Sequence, residues 1–384
     1  SYQVPDGTTI IGMSAFANST LSSISLPNTL EFIDEVAFAN CSNLKSFALP
    51  ASVLEIGNNA FDLCYEDCND DYNYYKSVAT VAQDIQIPAD SKLSRLGNRA
   101  LPFAKKVFIS KFLTQNIRKA IGNPMVTVDK DNPVYSSQDG VLYNKKKTEL
   151  IMFPSCKGGT FKCPGSVVKV DSLAFDDNRD LIKIVFNKGL RVIQDNAFTN
   201  CQSLTEVELP ATLVELNGNV WNVRPEFTNN LEKVTVDKNS PLFCSINGVL
   251  FSKDKKRIIV YPQGKGGDTY IVPEGVETIG ARAFWGCNLK KVVLPKSLRE
   301  IEKEAFSECL FLKRIDIPAA VEFIGVDCFY KYFEQDSLVN VYFHSAEAPT
   351  FEESEMGSAR FFVPKKSMDS YKEMIDPSYE IKGY

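Results

Sequence analysis

The phrase Leu/Val-x-x-Ile-x-x-x-Ala-Phe-x-x-Cys returns along this chain, with neighbouring phenylalanines 22 or 23 residues apart. Its clearest forms are Ala37-Phe38-Ala39-Asn40-Cys41, Ala197-Phe198-Thr199-Asn200-Cys201, Ala283-Phe284-Trp285-Gly286-Cys287 and Ala305-Phe306-Ser307-Glu308-Cys309. A fixed period of this length describes one short unit stacked on copies of itself, since so small a unit cannot bury its apolar face alone. The 384 residues are therefore expected to form one elongated solenoid over 1–384 and not a set of globular domains.

Counting from the phenylalanine, apolar residues recur at −8, −5, +6, +9 and +11, and proline commonly follows. One unit supplies Leu30, Ile33, Phe38, Leu44, Phe47, Leu49 and Pro50. Leu190, Ile193, Phe198, Leu204, Val207, Leu209 and Pro210 repeat it, as do Leu298, Ile301, Phe306, Leu312, Ile315, Ile317 and Pro318. The last two apolar positions alternate in-out-in, which is strand periodicity, so one strand per repeat pairing with its neighbours builds a parallel sheet. Proline ends the strand because it cannot donate to the ladder. The Ala-Phe segment then lies across the coil, in a short helical or irregular arc that seats each ring between two layers.

This pattern resembles the BspA-like leucine-rich repeat family, whose unit reads Leu-Pro-x-x-Leu-x-x-Ile-Gly-x-x-Ala-Phe-x-x-Cys-x-x-Leu-x-x-Ile. The likeness runs over essentially all of 1–384, with degenerate copies centred on Leu101 and Trp221. It implies an α/β repeat fold that is mainly β: a leucine-rich repeat solenoid with a curved parallel sheet and short helical or irregular arcs on the other side. It also implies an extracellular or cell-surface protein, with lipoprotein anchoring to an outer membrane as one mode. Such proteins are common in host-associated bacteria and some protozoa, act in adhesion or recognition, and carry no enzyme activity. The implied partner is a host or bacterial surface protein, extracellular matrix included, with membrane attachment only through an anchor outside this chain.

A second, longer repeat interrupts the first. Thr127-Val128-Asp129-Lys130, Asp139-Gly140-Val141-Leu142-Tyr143 and Lys157-Gly158-Gly159 recur as Thr235-Val236-Asp237-Lys238, Asn247-Gly248-Val249-Leu250-Phe251 and Lys265-Gly266-Gly267. Each reads as a hairpin with an Asp/Asn-Gly turn, and the lysine-rich turn that follows is expected to be exposed. The blocks are then 1–125 with an insertion at 65–84, a hairpin module at 126–163, repeats at 164–233, a second module at 234–272, repeats at 273–345 and a C-terminal cap at 346–384. In the cap, Phe361-Phe362-Val363 reads as a strand, followed by a helix capped by Ser367 or Asp369.

Formal net charge is −5 with no long block of one sign, which argues against a nucleic-acid face. No apolar run approaches the ~20 residues needed to span a bilayer. Nothing at Ser1 resembles a signal peptide, and the chain starts inside a repeat at Val4-Pro5-Asp6-Gly7, in keeping with a trimmed N-terminus. Of ten cysteines, Cys41, Cys64, Cys201, Cys287 and Cys309 share one repeat position, where they are expected to stack as small buried thiols. Asn178 stands at that position in another unit, which points to polar capping of a turn and not to cross-linking.

His344 is the single histidine, so any histidine-dependent nucleophile or metal centre would have to form around it. It follows Val341-Tyr342-Phe343 and reads as a strand-end residue. No Gly-x-Ser-x-Gly, Gly-x-Gly-x-x-Gly or Walker pattern occurs, so no catalytic residue, cofactor or metal site is assigned. The loop at 65–77 is compositionally odd. Asp67, Asn69, Asp71 and Asn73 alternate like calcium ligands, but Tyr72 replaces the turn glycine and Val78 the closing glutamate. Cys64 and Cys68 would make only half a zinc site. Tyr65, Tyr72, Tyr74 and Tyr75 make the same loop a candidate contact surface, for a protein or for a glycan whose rings stack on tyrosine. The outward strand positions supply the other candidates: Lys106, Phe108, Lys183, Glu206, Glu208, Lys233, Lys291, Arg314, Asp316 and Tyr342. A purely structural role is the remaining alternative.

Overall fold

The computed structural model describes residues 1–63, 83–216, 218–221, 230–331, 338–352 and 357–384. The chain divides into two compact units, Ser1–Lys157 and Gly158–Tyr384. Each is a mainly β, leucine-rich-repeat solenoid in which every coil lays its residues over those of the next.

The expected strand is present, and the coil also carries a second one. In the first unit, Ser46–Ala48 pairs in parallel with Asp84–Gln86, and Lys106–Ile109 with Met125–Val128. Two-residue strands at Ile10–Ile11, Phe32–Ile33, Glu55–Ile56 and Arg95–Leu96 form a separate parallel ladder built on the −5 position. The second unit repeats this with Thr278–Ile279, Glu300–Ile301, Phe323–Ile324 and Thr350–Phe351. The one-strand expectation is corrected on this point: two residues are too few to display alternation. Close coil-to-coil approach follows the short strand, and a Cβ on Gly325 would lie 2.3 Å from the Lys303 nitrogen.

The arc holding the phenylalanine is a third ladder. Phe38 N–H donates to Ala60 O, Phe175 to Ala197 O and Phe284 to Ala305 O, each reaching the following coil. The regular arcs place two residues in left-handed backbone, as at Val36 (φ 51°) and Asn40 (φ 57°), or Asn196 (φ 61°) and Asn200 (φ 54°), while those of Phe61, Leu101 and Phe329 place one, Asn59, Arg99 and Asp327. Asparagine tolerates that region better than most residues, which accounts for the Asn-Cys phrase. The rings stack into a column: Phe16–Phe38 at 5.1 Å, Phe38–Phe61 at 4.9 Å and Phe284–Phe306 at 5.1 Å between centroids. The degenerate copies keep their places, since Leu101 is fully buried and Trp221 lies 5.5 Å from Phe198.

The repeat cysteines Cys41, Cys201, Cys287 and Cys309 are buried, Cys64 lies outside the described residues, and all eight described cysteines are free thiols. Each arc thiol donates to the carbonyl of the preceding coil's ring residue: Cys41 to Phe16 (3.0 Å), Cys201 to Phe175 (3.1 Å), Cys309 to Phe284 (3.0 Å). Burial pushes the Cys309 thiol up to about 12. At the equivalent place Asn178 accepts from the Asp180 and Leu181 amides, capping the turn.

Each hairpin module proves to be a three-stranded antiparallel meander, because the segment before the Asp/Asn-Gly turn also pairs: Tyr135–Gln138, Val141–Asn144 and Glu149–Met152, then Phe243–Ile246, Val249–Ser252 and Arg257–Val260. The turns have positive φ at Asp139 and Gly140, and at Asn247 and Gly248. In the lysine-rich turns that follow, the exposed Lys145 and Lys253 are tied down in the same way in both copies, Lys145 to Lys130 O and Lys253 to Lys238 O.

In the cap, the strand Ala359–Val363 precedes the helix Met368–Met374. Ser367 occupies the N-cap position but makes no side-chain capping bond, and Asp369 lies inside the first turn, so the expected cap is corrected. Instead, packing fixes the helix: Tyr371 is fully buried, 5.1 Å from Phe343. A closing strand, Ile381–Gly383, adds in parallel to Ala359–Val363.

Candidate interaction surface

The longer strands place alternate residues in the core and on the outward face. Along Arg314–Ile317, Ile315 and Ile317 are buried while Arg314 and Asp316 point out. In-register pairing then lines up outward side chains from successive coils, which gives each sheet its own surface.

On the sheet Gly159–Lys162, Leu181–Val185, Glu206–Leu209 and Lys233–Val236, Lys183, Glu206 and Lys233 stand side by side. Lys183 Nζ lies 3.3 Å from Glu206 and also contacts Glu208, while Lys233 Nζ lies 2.9 Å from Glu206. The hydrogen bond from Lys233, helped by Lys183, holds the Glu206 carboxyl below the usual range. This surface neutralises itself.

On the sheet Arg314–Ile317, Val339–Phe343, Ala359–Val363 and Ile381–Gly383, one row runs Asp316, Tyr342, Phe362, Lys382, and another Arg314, Asn340, Arg360. Arg314 grips Asp316 through Nε (2.9 Å) and Nη2 (2.8 Å). Its guanidinium lies 3.8 Å from the Tyr342 ring centre, and Tyr342 stacks on Phe362 at 4.3 Å with 7° between planes. His344 Nε2 is 3.0 Å from Asp316 Oδ1, so that nitrogen carries a proton, since a carboxylate only accepts. Its Nδ1 is 3.0 Å from the Tyr384 hydroxyl, which donates to Phe343 O at 2.8 Å. Arg314 first, with His344, holds the Asp316 carboxyl below the usual range. On the far strand, Glu380 is held low by Lys382 and Arg360.

Of the remaining candidates, Lys106 and Phe108 face outward in the first unit beside Met125 and Thr127, and Lys291 is exposed beside Thr269. Tyr65, Tyr72, Tyr74 and Tyr75, and the calcium-like and Cys64/Cys68 patterns, lie outside the described residues. Sequence reasoning missed Phe362, Arg360, Lys382 and Tyr384 on this surface. The available signal was the in-out alternation of Phe361-Phe362-Val363 and of Ile381-Lys382-Gly383, which the cap reading did not extend to outward residues. Among the described residues, no group of three or more His, Cys, Asp or Glu could hold a metal, and no helix is long and apolar enough to cross a membrane.

Six copies of the BspA type leucine-rich repeat region match residues 1–85, 146–258 and 268–368. The chain belongs to the BspA-type leucine-rich repeat family. A leucine-rich repeat protein from Eubacterium ventriosum ATCC 27560 shares the fold of this BspA-type chain at 20% identity and a TM-score of 0.52, over 86% of this chain and 90% of that one. The pneumococcal vaccine antigen PcpA aligns at 20% identity and 0.47, over 100% and 78%. A leucine-rich cell surface protein from Faecalibacterium prausnitzii A2-165 aligns at 19% identity and 0.37, over 99% and 86%. No curated protein matches the chain at a significant level.

Proposed function

We propose that this BspA-type chain is a non-catalytic recognition scaffold of the cell surface or secreted fraction, binding a protein partner through the outward face of its longer strands. The observation that supports the reading is the register of that face. Charged and aromatic side chains from coils far apart in sequence stand in rows, as Lys183, Glu206 and Lys233 do, and Asp316, Tyr342 and Phe362. Rows of this kind spread contact over several repeats, the way solenoids engage large partners. The scaffold beneath is specified by the ring column and the three backbone ladders, so outward residues vary in chemistry at small cost to the fold.

The test is capture of purified extracellular matrix and host-surface proteins by the immobilised chain. The double variant Lys183→Glu/Lys233→Glu or the variant Tyr342→Ser should weaken capture at least about tenfold, near 1.4 kcal/mol, whereas Glu322→Gln on the short-strand side should not. Capture indifferent to every outward substitution would overturn the reading. Antibody labelling of intact producing cells tests the location, and signal confined to permeabilised cells would count against it.

A further inference from the structure

The geometry points to the sheet formed by Arg314–Ile317, Val339–Phe343, Ala359–Val363 and Ile381–Gly383 as a docking site for an acidic, apolar-flanked segment of a protein partner. This deepens the scaffold reading and rests on it.

Hydrogen-bond bookkeeping carries the argument. Both carboxylates on this face are already paired with cations: Asp316 Oδ1 takes Arg314 Nη2 and His344 Nε2, and Oδ2 takes Arg314 Nε. Glu380 takes Arg360 on one oxygen and Lys382 on the other. The cations are not used up. A guanidinium has five N–H donors, and Arg314 spends only its Nε and one Nη2 proton on Asp316. Arg360 spends only its Nε, and the other guanidinium N–H groups of both residues have no acceptor among the described residues. The ammonium of Lys382 has one carboxylate for three N–H groups. The face therefore sets three cations with N–H groups to spare, Arg314, Arg360 and Lys382, against two carboxylates that are already paired, Asp316 and Glu380.

The aromatic groups supply the other half. Tyr342 and Phe362 are half-buried and locked by stacking, with Arg314 closing one side of the Tyr342 ring. Their order is prepaid, so a partner side chain packing against their edges loses little further rotamer entropy. Arginine and aromatic residues are also the types enriched at interface hot spots. A planar fork with free donors selects carboxylates, and the adjoining ring edges select an apolar neighbour on the same segment. The Lys183, Glu206, Glu208 and Lys233 surface instead balances two cations against two carboxylates, has no guanidinium fork and places no aromatic among those four residues.

The experiment titrates the intact chain with a synthetic peptide alternating glutamate and leucine, a lysine–leucine counterpart, and a hyaluronan oligosaccharide as a carboxylate-bearing glycan. NMR reads arginine Nε signals and the ring of His344, the only histidine and hence unambiguous. Saturable shifts with the glutamate peptide alone, weakened by salt and at least about tenfold weaker in Arg360→Gln and Phe362→Ser, are expected. Arg360→Lys, which keeps the charge and loses the fork, should fall with Arg360→Gln. No saturation, equal binding of the lysine peptide, preference for the oligosaccharide, or shifts that survive both variants would each overturn the proposal. If it fails while capture still depends on Lys183 and Lys233, the scaffold reading stands without it. Capture indifferent to every outward variant removes the scaffold reading itself.

Discussion

Two four-stranded parallel sheets of the second unit share one backbone plan and display opposite chemistry. The sheet ending at Lys233–Val236 presents a lysine–glutamate ladder whose charges satisfy one another. The sheet ending at Ile381–Gly383 presents a stacked Arg–Tyr–Phe column with engaged carboxylates and spare cationic donors. Beneath both lie the same inward aliphatic and aromatic rows, fully buried at Ile184 and Val207 in one, and at Val341 and Phe361 in the other. A solenoid thus separates what holds it together from what it shows, residue by residue along each strand.

The sharpest way to break this comparison is to remove an inward ring from each side. Phe198→Ala, between Phe175 and Trp221, and Phe343→Ala, against Tyr371, should each cost about 3 to 5 kcal/mol, because layers on both sides hold the cavity open. Thermal unfolding checks it, and a large loss for one with an unchanged curve for the other would show that the two sheets do not rest on equivalent cores.

Outward substitutions should separate the sheets by a smaller margin. Replacing Phe362 by serine dissolves the stack on Tyr342, worth about 0.5 to 1.5 kcal/mol, while Thr235→Ala on the other sheet should stay within about 0.5 kcal/mol. Equal denaturation midpoints for the two variants would mean that the aromatic column contributes nothing to the fold.

Smaller still is the acid response. Arg314 holds Asp316 low and Lys233 holds Glu206 low, so each folded carboxyl titrates below its unfolded counterpart near about 4. The stabilisation is complete above that unfolded value and disappears as pH falls through the folded one. Asp316→Asn should therefore lower stability at neutral pH by less than ~1 kcal/mol, since the pair is solvated, and flatten the acid limb below about pH 4. Urea melts across that range provide the check, and an unaltered acid limb would contradict the Arg314–Asp316 pairing.

Much of this architecture was legible in one dimension. Stacking lays Phe38 over Phe16 and under Phe61, so a single physical requirement, a ring between layers, is written into the chain once per coil. The buried thiols were legible for the same reason. The second short strand was not, because Phe32–Ile33 has no room for a period, and neither was the closing strand Ile381–Gly383, which lies outside the repeat. On the candidate surface, Arg314, Asp316 and Tyr342 were visible as outward positions, while Arg360, Phe362, Lys382 and Tyr384 were hidden in a segment read only as a cap.

By itself the sequence determined the repeat unit, its buried positions, the solenoid class and the family, because contacts between like positions in adjacent coils impose a period that any reader of the chain can count. Only the tertiary structure decided which outward side chains meet. Asp316 reaches His344 across 28 residues, and His344 reaches Tyr384 across 40. These contacts pair unlike residues once each, and an interaction that occurs once leaves no periodic trace. Strand register brings such residues together, and register is a property of the folded sheet.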